Sequence, residues 1–127
     1  MADVCAIFLD LDGTLLDSRG RIGERTMVAL EACHRRGVLL YVATARSRRL
    51  APRPEEAGRL TPLLRERGLY HNGAMACDAA IGYERHYMLP AETVAALVAD
   101  LIALDPALQV AIQRGEEYNA YRLPMSP

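Results

Sequence analysis

The chain has 127 residues, 51% of them hydrophobic, and a net charge of −1. That balance excludes a disordered polyelectrolyte and gives no electrostatic ground for binding nucleic acid or an anionic membrane. Its three cysteines, Cys5, Cys33 and Cys77, are too scattered for a zinc site or a disulfide framework, and no apolar run reaches membrane-spanning length, so the sequence reads as a cytoplasmic protein.

Val4 to Leu9 is a continuous apolar run, which predicts a strand covered on both faces. Directly after it stand Asp10-Leu11-Asp12-Gly13-Thr14-Leu15-Leu16. Two carboxylates two positions apart repel each other unless a cation intervenes. A bound Mg²⁺ relieves that repulsion and leaves one carboxylate able to attack phosphorus. An EF-hand is excluded, because no third acidic position precedes the glycine and no bidentate glutamate follows at the required distance.

Glu24 to Arg36 predicts a helix, with Met27, Leu30 and Cys33 on its apolar side and Gly37 just past its end. Val38 to Val42 is a second buried strand that ends at Ala43-Thr44. Strand, helix and strand at this spacing make a βαβ unit with parallel strands. Ligands of such sheets bind off the carboxyl ends of the strands, where Asp10, Asp12 and Thr44 all fall. A polar, proline-broken stretch follows. Then comes a short helix with Thr61 as N-cap, Pro62 at its first position and Gly68 past its end.

Asn72-Gly73 marks a turn. Ala74 to Asp78 and Tyr83 to Met88 predict a hairpin around Ala79 to Gly82. Pro90 opens an amphipathic helix with Val94, Leu97, Val98, Leu101 and Ile102 on one face, stopped at Asp105-Pro106. Asp100 and Asp105 there read as solvated or capping residues. Leu108 to Gln113 and Glu117 to Tyr121 predict two strands joined at Gly115. The change in pattern places a domain boundary between residues 88 and 89.

Asp10-Leu11-Asp12-Gly13-Thr14-Leu15-Leu16 resembles the first motif of the haloacid dehalogenase (HAD) superfamily. Val42-Ala43-Thr44-Ala45-Arg46 resembles its second motif, in the Ala-Thr-Gly-Arg form of the Cof-type phosphatases with a class IIB cap. His71-Asn72-Gly73-Ala74 with Asp78 resembles a further segment of that subfamily. The resemblance implies an α/β protein: the N-terminal part (1–88) of a HAD-like Rossmannoid parallel sheet, incomplete here, and the beginning of an α+β cap (89–127). It implies a Mg²⁺-dependent phosphatase acting on a small phosphorylated metabolite through an aspartyl-phosphate. Asp10 would be the nucleophile and Asp12 the general acid and base, both at the metal, with the Asp12 backbone carbonyl on the ion. Thr44, Arg46 and Asn72 would bind phosphate or substrate. Ala45 departs from the family's usual glycine.

The family's third and fourth motifs, a Lys or Arg facing the nucleophile and a Gly-Asp-x-x-Asn-Asp segment, are not found. The chain has no lysine at all. It therefore reads as truncated, with little turnover of its own, and a second copy is expected to cover its open sheet edge. The alternative is a catalytically inactive HAD-fold remnant or interaction module.

Overall fold

The computed structural model describes residues 4–114 and 117–121. They fall into two compact units, Met1–Tyr87 and Met88–Pro127. In the first unit, β1 (Ala6–Leu9), β2 (Leu39–Ala43), β3 (Arg67–Tyr70), β4 (Met75–Asp78) and β5 (Tyr83–His86) form one sheet in sequential order. β1, β2 and β3 run parallel, with Phe8 opposite Tyr41 and Val42 opposite Gly68. β3, β4 and β5 are antiparallel neighbours. The predicted hairpin is thus the continuation of the parallel sheet.

The helices of this unit are α1 (Glu24–Arg35), α2 (Pro54–Ala57) and α3 (Thr61–Glu66). α1 and α3 pack on β2. Strand side chains alternate between faces, so β2 sends Leu40 and Val42 to the helices, where both are fully buried. Leu30 of α1, Leu64 of α3 and Tyr70 of β3 complete that core, with Ile7 and Leu9 of β1 at its margin. Each such leucine contributes about 1.5–3 kcal/mol by leaving water.

The expectation that β1 is covered on both faces is not met. Phe8 is 58% exposed, and it stacks on Tyr41 with ring centroids 4.9 Å apart. Alternation is the reason: only the face bearing Ile7 and Leu9 meets the helices.

Two further expectations are corrected. Thr61 is the first residue of α3, and its hydroxyl donates to the Gly58 carbonyl at 2.8 Å. Gly68 does not end a helix. It lies inside β3, a strand not foreseen, where a Cβ would stand 2.6 Å from the Tyr70 ring.

In the second unit, α4 (Ala91–Leu104) is followed by β6 (Val110–Arg114) and β7 (Glu117–Tyr121), which pair antiparallel. Asp105 accepts from the Ala107 N–H at 2.8 Å, which closes the turn after α4. Val98 is buried, but Leu97 and Leu101 are 49% and 38% exposed. The groove at α4 and β6 is lined by the row Val94, Val98 and Ile102 with Ile112. The apolar face is therefore narrower than the sequence suggests. The joint at Gly115 lies outside the described residues.

Candidate active site

The chain leaves β1 through one wide turn. The Leu15 N–H donates to the Asp10 carbonyl at 3.1 Å and the Leu16 N–H to the Leu11 carbonyl at 2.9 Å. Buried Leu11 and Leu16 pin this turn to the core. Gly13 has φ +76°, a conformation that disfavours any residue with a Cβ. The turn leaves Asp10 and Asp12 exposed. The Thr14 hydroxyl donates to Asp10 Oδ2 at 3.0 Å.

Thr44 leaves the adjacent parallel strand β2 and is 6% exposed. Its N–H donates to the Leu69 carbonyl at 2.9 Å, and its Oγ1 accepts from the Arg46 N–H at 3.2 Å. The turn after β3 docks on the same loop. The Asn72 N–H donates to the Thr44 carbonyl at 3.2 Å and the His71 N–H to the Arg46 carbonyl at 3.1 Å. His71 and Asn72 both carry positive φ (54° and 55°), which aims these successive N–H groups at the loop. The sequence-derived residues Thr44, Arg46 and Asn72 are thus brought together through backbone bonds.

Arg46 also reaches across to the β1 turn. Its Nε donates to Asp12 Oδ2 at 2.8 Å and its Nη2 to Asp12 Oδ1, a bidentate grip. Its Nη1 donates to Glu56 Oε1 at 2.7 Å. All three guanidinium nitrogens are engaged. The hydrogen bond that Arg46 donates to Asp12 raises the Arg46 pKa above its ordinary value, against the opposing effect of burial.

Glu56, on α2, is 3% exposed and went unnoticed in the sequence. It accepts from the Arg53 N–H at 2.8 Å and from Arg53 Nε and Nη2 at 3.0 and 2.7 Å. Burial alone would raise its pKa. The hydrogen bonds from Arg53 and Arg46 outweigh this and bring it from 4.5 to about 2. A signal existed: glutamate at the third position of a proline-started turn reaches back to the preceding N–H.

The sign of this shift sets an acid-stability prediction. A carboxylate with a lowered folded pKa stabilises the fold above its unfolded pKa and loses that contribution as pH falls through its folded pKa. Glu56 should contribute on the order of 3 kcal/mol above pH 4.5, lost between about pH 4.5 and 2. Urea titrations of wild type and Glu56→Gln across this range check it. A wild-type curve as flat as that of the variant would contradict it.

Asp10 and Asp12 also bear on metal binding. Both Asp12 carboxylate oxygens accept from Arg46, which makes them poorer donors to a cation than the backbone carbonyl of the same residue. Among the described residues no three His, Cys, Asp or Glu side chains cluster as a metal cage. One exposed carboxylate and one carbonyl suit Mg²⁺, which keeps several waters and takes phosphate oxygens as further ligands.

The motif order, the parallel strands and this geometry meet in one comparison. The model of the haloacid dehalogenase-like hydrolases matches residues 7–123. The chain belongs to the haloacid dehalogenase-like hydrolases.

Solved HAD structures share its fold. A HAD phosphatase from Bacteroides thetaiotaomicron is 22% identical, with a TM-score of 0.75 over 96% of this chain and 43% of that one. A HAD subclass IIB sugar phosphatase is 24% identical, with a TM-score of 0.72 over 91% and 43%. A HAD/COF-like hydrolase from Plasmodium vivax is 23% identical, with a TM-score of 0.70 over 92% and 42%. The chain thus spans less than half the length of these HAD proteins. No curated protein matches it. No helix among the described residues is long and apolar enough to cross a membrane.

Proposed function

We propose that this chain carries the nucleophile, the acid–base group and part of the phosphoryl-binding site of a Mg²⁺-dependent phosphate monoester hydrolase. The observation that supports this most is the placement of Asp10 and Asp12 on a glycine turn beside Thr44 of the neighbouring parallel strand. An Asp10 carboxylate oxygen attacks phosphorus and the ester P–O bond breaks. The leaving oxygen takes a proton from the Asp12 carboxyl, which carries it on an oxygen released from the Arg46 fork, giving the alcohol and an aspartyl-phosphate. The Asp12 carboxylate then takes a proton from water. The water oxygen attacks the same phosphorus, which frees inorganic phosphate and restores Asp10.

Thr44 Oγ1 supplies a hydroxyl to a phosphoryl oxygen. Asn72 positions the substrate from the docked turn. Arg46 acts on the substrate side by orienting Asp12, its bidentate partner. The Asp10 carboxylate and the Asp12 carbonyl would hold Mg²⁺, which offsets phosphate charge when bound. The sugar phosphatase among the structural relatives favours a small phosphorylated metabolite as substrate. The end position of β1 in the sheet and exposed Phe8 favour a second copy along that edge.

The test is ¹⁹F NMR of the chain with beryllofluoride and Mg²⁺. Protein-bound fluoride resonances are expected, and EDTA should remove them. Their absence at millimolar Mg²⁺ would sink this reading in favour of an inactive remnant or interaction module.

A further inference from the structure

Resting on that reading of Asp10 and Asp12, we propose that Glu56 is a positioning residue, which fixes Arg46 so that only its Nε–Nη2 edge can face Asp12.

The argument starts from the shape of the guanidinium. It is a planar fork with several donors, and a free arginine side chain samples many rotamers. An isolated, exposed Arg–Asp pair is held weakly for that reason. Here the fork is held at two places. Glu56 takes Nη1, and the Leu50 carbonyl lies 3.5 Å from the same atom. The edge that remains is the one on Asp12.

Glu56 is able to act as an anchor because it is itself fixed. Its carboxylate is held by three Arg53 donors, and its carbonyl accepts from the Ile22 N–H at 2.8 Å. Its side chain is 2% exposed, against 58% for Asp12. Charges of alternating sign thus run from exposed Arg53 through buried Glu56 and part-buried Arg46 to exposed Asp12. Removal of the buried Glu56 carboxylate frees the Arg46 guanidinium at its Asp12 edge.

The experiment reads Arg46 directly. With ¹⁵N-arginine, the Arg46 Nε–H signal is assigned by its loss in Arg46→Ala. In wild type its exchange with water should be slowed at least about tenfold relative to exposed Arg19. Glu56→Gln should remove that protection. It should also weaken beryllofluoride binding with Mg²⁺ by roughly tenfold, the scale of a lost orienting partner. Glu56→Asp keeps the charge but retracts the carboxylate by one methylene. It should lose Arg46 protection even if Glu56→Gln fails to fold.

In an Arg46→Ala background, Glu56→Gln should have no further effect on beryllofluoride affinity. Unchanged Arg46 exchange in both Glu56 variants would overturn the proposal. So would an equal affinity loss with and without Arg46. If no variant binds beryllofluoride but Arg46 protection still depends on Glu56, the positioning role stands and the phosphatase reading fails.

Discussion

Asp10→Asn should eliminate the beryllofluoride adduct and any acid-stable label from p-nitrophenyl [³²P]phosphate. Asparagine has nearly the same shape but no anionic oxygen to form the acyl phosphate. Its amide oxygen can still accept from the Thr14 hydroxyl, so the β1 turn should survive within about 1 kcal/mol. Loss of label in a variant that melts like wild type separates chemistry from folding. Asp12→Asn should behave differently. It leaves the nucleophile in place, so label should still form, and loss of the label should slow by about 10²–10⁴-fold. Label formation in Asp10→Asn would remove this residue from the role assigned to it.

The second large effect concerns Gly68. A Cβ there would stand 2.6, 2.7 and 2.8 Å from Cζ, Cε2 and Oη of Tyr70. Tyr70 is fully buried among core side chains, so its ring has no open space to enter. Gly68→Ala should cost about 1–3 kcal/mol, and Gly68→Val more. Tyr70→Leu removes the clashing ring atoms, so the two substitutions should couple by about 0.5–3 kcal/mol. Denaturant melts of the four proteins measure this. A Gly68→Ala protein as stable as wild type would show that the ring yields freely. The effect reaches the candidate site, because β3 delivers the His71 and Asn72 N–H groups to the Thr44–Arg46 loop.

These two positions mark how far the sequence could be read. Asp10, Asp12 and Gly13 were legible because their spacing after an apolar strand is rare outside one kind of chemistry. β2 and α1 were legible because their apolar pattern is set by burial against each other. β3 was not. Arg67-Gly68-Leu69-Tyr70 is short, and its glycine reads as a breaker. The real need for glycine is an aromatic ring two residues on, which only the fold brings back. Glu56 was hidden for a similar reason. In the run Arg53-Pro54-Glu55-Glu56 only the place of Glu56 at the third position of a proline-started turn separates it from its exposed neighbour, and that marks a cap rather than burial. Its bond from Arg46, on the loop after β2, is set by the fold and carries no local signature. Phe8 fails in the opposite sense: its apolar context promises burial, yet its face of β1 remains open.

The use of arginine alone has a consequence at high pH. A lysine beside the reactive carboxylates would begin to lose its charge near pH 10. Arg46, its pKa raised further by the Asp12 hydrogen bond, keeps its charge beyond that point. The grip on Asp12 should therefore survive in alkali, and any alkaline loss of phosphoryl chemistry must originate at another group. Amine-directed reagents, by the same logic, would leave this cation untouched.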